Sequence, residues 1–134
     1  GELVRLCYSG KYTEKEMIKQ LVGKAGFNAY CGSNDARDIE AMAKNGDKHA
    51  QLVFDAFLYQ VSKDIGAQAA VLSGKVDQII LTGGIAYGKY ATEEITKRVQ
   101  FIAPVTVYGG EDELLALAQG ALRVLNGEEE AKVY

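Results

Sequence analysis

Apolar residues recur at helical spacing through most of the chain and form short strand-like runs in only two places. The longest pattern joins Ala50, Val53, Phe54, Phe57, Leu58, Val61, Ile65 and Leu72, with Asp47 as a cap ahead of it and Ser73-Gly74 closing it. It predicts one helix over 47–72, seven turns and about 39 Å long at 1.5 Å per residue. That helix serves as a core element or a dimer seam. Gly66 inside it costs about 1 kcal/mol against Ala, which hints at close approach by another backbone.

The shorter patterns flank this one. Leu3, Leu6 and Cys7 share a face of an opening helix that Gly10 can end. Thr13-Glu14-Lys15-Glu16 fits a capping box ahead of a helix buried through Met17, Ile18, Leu21 and Val22 and stopped at Gly23. Residues 23–32 hold three glycines and no clean period, so they read as loop with one short extended piece at Phe27–Cys31. Ser33-Asn34-Asp35 then caps a helix over Ala36–Lys44, which Asn45-Gly46 terminates.

The second half alternates. Ile79-Ile80-Leu81 is a β-branched run with turn residues on both sides, and a helix with Ile95, Val99 and Ile102 on its face follows from about Ala86 or Ala91 to Phe101. Pro104 opens a second strand, Val105–Tyr108, and Gly109-Gly110 turns the chain into a last helix striped by Leu114, Leu117, Ala118, Ala121, Leu122 and Leu125. Glu128-Glu129-Glu130 reads as a solvated tail. Strand, helix, strand, helix in this order implies parallel pairing by a right-handed crossover. Parallel strands are normally buried inside a larger sheet, so further strands are expected upstream of residue 1.

Composition narrows the function classes. A chain of 134 residues with 48% hydrophobic content makes one domain's worth of core. Its net charge of −3 offers no basic field for nucleic acid or an anionic membrane surface. No apolar run is long enough to cross a bilayer, and Gly1-Glu2-Leu3 does not begin a signal peptide, so a soluble protein is expected. The first residue is not Met, which suggests that position 1 is not the natural start. Cys7 and Cys31 have no short metal-ligand spacing and read as reduced thiols of an intracellular, cytoplasmic protein. His49 is the sole histidine, and its lysine-flanked setting reads as a solvated helix face rather than a zinc or triad member.

Candidate chemistry concentrates at Val76–Tyr90. Gly83-Gly84 follows a strand, precedes a helix, can adopt positive φ and carries no side chain, so a flat ligand can come close to the backbone. Open α/β sheets place ligand crevices at such carboxyl ends of strands, although a tight turn alone explains the pair. Arg37 in a first helical turn opposes the helix dipole. A surface ion pair with Asp38 or Glu40 is its ordinary explanation; stacking on an aromatic base or gripping a phosphate is the functional one. Glu111-Asp112-Glu113 places three acids at a helix start, where they serve as capping or as a cation site.

In four ordered segments the chain resembles the carboxyl-terminal part of butyrate kinases, which group with acetate kinase, sugar kinases, heat-shock ATPases and actin. The segments are Leu6-Cys7-Tyr8-Ser9-Gly10-Lys11-Tyr12-Thr13, Ala29-Tyr30-Cys31-Gly32-Ser33-Asn34-Asp35-Ala36-Arg37, Ile79-Ile80-Leu81-Thr82-Gly83-Gly84-Ile85-Ala86-Tyr87 and Gly110-Glu111-Asp112-Glu113-Leu114. The resemblance implies an α/β fold, part of a ribonuclease-H-like (actin-like ATPase) domain, helix-rich with a small parallel β-α-β-α unit. It implies that residues 1–134 form the adenosine side of a nucleotide site, the other domain lying outside this chain.

On that resemblance Gly83, Gly84, Ile85 and Gly88 line an ATP/ADP site, and Asp35, Ala36 and Arg37 face the adenine from the other side. Gly88 stands where acetate kinases commonly carry Asn, and Ala86-Tyr87 where they carry Gly-Glu. Glu113 resembles an acid that helps place Mg²⁺. The implied reaction moves the γ-phosphoryl group of ATP to butyrate or a similar short-chain carboxylate, giving an acyl phosphate and ADP. The family's phosphate loops and substrate arginines have no counterpart here, so no catalytic residue is assigned and the isolated chain is expected to bind ATP weakly. A homodimer or larger homo-oligomer is expected. A non-catalytic dimerisation or assembly module and a nucleotide-regulated sensor are the alternatives.

Overall fold

The computed structural model describes residues 1–110 and 112–131. Its elements in chain order are α1 (Glu2–Cys7), α2 (Glu14–Leu21), α3 (Phe27–Cys31), α4 (Ala36–Lys44), α5 (Lys48–Val71), β1 (Ile79–Gly83), a 3₁₀ turn (Gly84–Tyr87), α6 (Lys89–Val99), β2 (Val105–Gly109) and α7 (Glu113–Leu125). The helix-rich α/β reading and the parallel strand pair are both present.

α5 is the central member. Asp47 caps it by accepting from the backbone N–H groups of His49 (2.9 Å) and Ala50 (3.0 Å). Ala50, Phe54, Leu58 and Ser62 form its buried stripe, four residues apart, and Val53, Phe57, Val61 and Ile65 flank it half-buried. Ser62 is the unexpected member; its hydroxyl donates to the Leu58 carbonyl at 2.8 Å, so the buried oxygen is satisfied within the helix. α4 and α6 both pack on α5. They bring Ile39 from α4 and Ala91, Ile95 and Val99 from α6 into one core with Phe54, Leu58, Ile79 and Ala103.

β1 and β2 pair in parallel, Ile79 opposite Val105 through Gly83 opposite Gly109, and α6 connects them. Ile79 and Leu81 face the core, while Ile80 and Tyr108 remain exposed. This is the alternation of a strand covered on one side.

Three expectations are corrected. Phe27–Cys31 is a helix rather than an extended piece, framed by Gly26 at φ 58° and Gly32 at φ 77°. Local sequence is overridden there by packing: the Phe27 ring lies 4.9 Å from that of Phe57 and 6.1 Å from that of Phe54, centroid to centroid. At Gly66 no backbone comes close, since a Cβ added there meets nothing within 4 Å among the described residues. The stripes of α1, α2 and α7 are largely uncovered: only Met17 is buried in these three helices, and Ile18, Leu21, Val22, Leu114 and Leu117 are all more than half exposed. Periodicity tells which face a helix offers, not whether the chain holds a partner for it. The Thr13 and Glu16 capping box, by contrast, forms with both of its hydrogen bonds.

A polar clasp ties α6 to α5. The Tyr90 hydroxyl donates to Asp55 Oδ1 at 2.6 Å, and Gln51 Nε2 donates to that same oxygen at 2.9 Å and to the Tyr90 hydroxyl at 3.0 Å. The Asp55 carboxylate and partial burial push the Tyr90 phenol up to about 12. Its folded pKa is raised, so its contribution is full below the ordinary phenol value and is lost as pH rises through about 12.

Tyr90→Phe is accordingly expected to cost about 1 kcal/mol in urea unfolding at pH 7, a charge-assisted bond discounted for partial exposure. The difference from wild type should shrink above pH 10, the reference value for this phenol. Gly66→Ala is expected to stabilise the chain by about 0.5–1 kcal/mol. A loss of stability in the same unfolding measurement would reveal a backbone neighbour at that position.

Candidate functional site

β1 delivers the chain to the site. Gly83 ends it at φ 86°, a conformation that favours glycine, and exchanges backbone hydrogen bonds with Gly110 (3.3 and 3.2 Å). The ends of the two strands are thereby clamped together. Gly84, at ordinary φ, opens the 3₁₀ turn, and a Cβ there meets nothing within 4 Å, so its face is open. Gly88 ends the turn and precedes α6, with Ala86 buried underneath. Tyr87 lies across the end of β2: a Cβ on Gly109 would come within 3.0 Å of its ring, and one on Gly110 would collide with its hydroxyl. The second glycine pair, read from sequence as a turn only, is what the tyrosine ring requires.

The opposite wall is the start of α4. Asp35 caps the helix by accepting the Arg37 N–H at 2.9 Å, and the same carboxylate takes Arg37 Nε at 3.0 and 3.1 Å and Nη2 at 2.5 Å. The expected partners of Arg37 were Asp38 and Glu40; the structure pairs it with Asp35 instead, and Asp38 accepts from the Ser33 hydroxyl at 2.6 Å. Side-chain bonds from Arg37 and its backbone N–H hold the Asp35 carboxyl down at about 2, and Asp35 in turn raises the guanidinium. Arg37 is 83% exposed, so its planar group is fixed by a fork of bonds while its face stays open.

These two walls enclose one cleft in two parts. The outer part, about 490 Å³, is lined by Asn34, Asp35, Ala36 and Arg37 on one side and Gly84, Ile85 and Tyr87 on the other. The inner part, about 320 Å³, shares Ala36, Arg37, Gly84, Ile85 and Tyr87 and adds Glu40, Lys44, Phe54, Gly88 and Lys89. Asp35, Ala36, Arg37, Gly84, Ile85 and Gly88 thus come together from segments nearly fifty positions apart, and Gly83 sets the turn without lining the space. Apolar walls with a few convergent polar groups, at this volume, suit a flat heteroaromatic ligand. Two other hollows, of about 430 and 540 Å³ along α5, are lined mainly by aliphatic and aromatic side chains and gather no such set.

Sequence reading missed Glu40 and Tyr87 as cleft residues. The signal for Glu40 was present, since it follows Ala36 by four positions and shares its helix face. Glu113 begins α7, is exposed and lines neither part of the cleft. Asp112 gives no side-chain cap, and Glu111 lies outside the described residues. No group of three metal-ligating side chains occurs among the described residues. Mg²⁺ that arrives on nucleotide phosphates needs only one or two protein carboxylates, so a single Glu113 fits that chemistry without forming a metal site by itself. Cys7 and Cys31 are free thiols, and His49 is exposed with Nε2 3.1 Å from the Tyr30 carbonyl oxygen. No described helix is long and apolar enough to cross a membrane.

The chain is 62% identical over all 134 residues to butyrate kinase 2 of Clostridium acetobutylicum and 54% identical over the same span to a probable butyrate kinase of Clostridium botulinum. It spans 38% of the length of each. In fold it is similar to the crystal structure of Porphyromonas gingivalis acetate kinase, with TM-score 0.78 and 24% identity over 93% of this chain and 38% of that one. A propionate kinase from Francisella tularensis gives TM-score 0.72 and 20% identity over 85% of this chain and 35% of that one. The model of the acetokinase family matches residues 6–131, nearly the whole chain, and with both walls of the cleft inside that match the chain belongs to the acetokinase family.

Proposed function

We propose that this chain is the adenosine-binding portion of a cytoplasmic, ATP-dependent kinase acting on butyrate or a similar short-chain fatty carboxylate. The observation that carries the proposal is the meeting of Asp35–Arg37 and Gly84–Gly88 across one cleft, in a chain so similar to relatives named butyrate kinase. Similarity to those relatives over all 134 residues of this chain weighs against a non-catalytic assembly module.

Asp35, Ala36, Arg37, Gly84 and Ile85 each have a definite task in this reading. Ala36 and Ile85 face the two sides of the base, and Gly84 leaves room for the sugar against bare backbone. Asp35 holds the Arg37 guanidinium flat, so its stacking on the base costs little further ordering. Glu113 is the residue that would hold Mg²⁺, which neutralises phosphate charge when bound. In the overall reaction a carboxylate oxygen bonds to the γ-phosphorus, the bond from that phosphorus to the bridging oxygen breaks, and ADP leaves with the electron pair. Phosphoryl transfer is mostly positioning and charge neutralisation, and the groups closest to the reacting phosphorus are assigned outside this chain. A homodimer or larger homo-oligomer belongs to the same reading, with exposed Leu52 and Tyr59 on α5 as available apolar surface.

The full-length gene product is expected to form an acyl phosphate from ATP and butyrate, trapped as the hydroxamate. Arg37→Ala should raise KM for ATP roughly 5-fold to 30-fold, the range of a partly desolvated cation–π contact, with KM for butyrate unchanged. No acyl phosphate, or an ATP KM indifferent to both Arg37→Ala and Ile85→Asp, would overturn the proposal.

The Asp35 fork makes a pH expectation. Its folded pKa is depressed, so the cap and ion pair are intact above the ordinary carboxyl range and are lost only as pH falls through about 2. Carboxyl-carbon NMR should show Asp35 titrating near 2 and moving up toward 3.8 in Arg37→Gln.

A further inference from the structure

One polar group of the cleft has no task in the nucleotide reading. Glu40 lies one turn beyond Ala36 on α4 and lines the inner cleft, with its side chain only 13% exposed. Its Oε1 is shut off from solvent, and the Lys44 ammonium, with Nζ at 2.9 Å, is the one partner it has among the described residues. Lys44 is itself 68% exposed, so it is free to share that carboxylate or to swing into water. Oε2 lies against the glycine turn, where a Cβ on Gly88 would stand 3.1 Å from it. A side chain at position 88 would therefore press on the carboxylate, which would have to give by a few tenths of an ångström. An ionised carboxylate can only accept, and with about four lone-pair sites it keeps acceptor capacity beyond what the Lys44 ammonium fills.

We propose that Glu40 is a specificity-determining residue of the cleft, its carboxylate accepting a hydrogen bond from an amino group on the ligand's base. The inference rests on the nucleotide reading above and deepens it. Ala36 and Ile85 present apolar surface that is indifferent to substituents on the ring edge, and Arg37 offers a flat face to any aromatic ring. Among the groups lining the inner part, Glu40 alone is a carboxylate, and it distinguishes an edge that carries an amine from one that does not. A site built around a polar partner discriminates strongly against an analogue lacking that partner, because its own group is then left unpaired.

The test compares ATP with purine riboside triphosphate, which has the same ring and lacks the amino group, in the full-length gene product. Wild type is expected to show a KM for ATP about tenfold below that for the analogue, with kcat alike. Glu40→Ala should bring the ratio to about twofold or less by raising KM for ATP alone, and Glu40→Gln, of the same size, should fall between. A tenfold ratio that survives in both variants, while Ile85→Asp still raises KM for ATP, overturns the role of Glu40 and leaves the nucleotide cleft standing. ATP kinetics indifferent to Ile85→Asp as well as to Glu40→Ala overturn both readings.

Discussion

Everything at the cleft depends on the burial of Phe54 and Leu58 along α5. These side chains are 1% and 0% exposed, and removing surface of that size from water contributes about 1.5–3 kcal/mol apiece. α4 meets α5 through Ile39, α6 meets it through Ala91 and Ile95, and α3 adds Phe27 to the aromatic cluster. The two walls of the cleft are the first turn of α4 and the turn ahead of α6. They touch neither through a shared strand nor a common loop; their separation is set by the helix on which both rest. Phe54 also reaches the inner cleft, so the residue that spaces the walls is part of the floor. The Tyr90 hydroxyl on Asp55 fixes the beginning of α6 against that same helix.

What the sequence made legible was whatever is decided within one or two turns of chain. The capping box at Thr13, the cap at Asp47, the period of α5 and the strand followed by glycines at 79–84 are local facts, and each appears in the structure. Phe27–Cys31 was misread because its conformation is decided by rings on α5, twenty to thirty positions away. Gly66 was overread, since a glycine in a helix signals a close neighbour only if one is present. For Arg37 the expected acids, Asp38 and Glu40, lie ahead of it on the helix, whereas the carboxylate that takes it is the helix cap two residues behind. The coming together of residues 35–37 with 84–88 has no trace in local pattern; only the family resemblance suggested it.

Charge is distributed unevenly over the site. Asp35 and Arg37 neutralise one another at the outer part, and Glu40 and Lys44 form a second opposed pair at the inner part. Neither pair leaves a strong field for a triphosphate, while Lys89 at the start of α6 is 89% exposed and only loosely paired with Glu93, at 3.7 Å. On the proposed reading, the cleft recognises the neutral end of a nucleotide by shape and by single hydrogen bonds, and electrostatic work on the phosphates falls to other groups.

The ring of Tyr87 lying over Gly109 and Gly110 also bears on how this protein can change over generations. Gly110 is at φ 109°, and its Cβ position is taken by the tyrosine hydroxyl, so two separate reasons exclude a side chain there. At Gly109 only the ring stands in the way. A smaller residue at 87 would relieve Gly109 but not Gly110, so position 109 is coupled to the side chain at 87 while position 110 is also held to glycine by its own backbone. Two positions with no bond between them are thereby linked, and a change in the rim of the cleft at 87 alters what position 109 can carry.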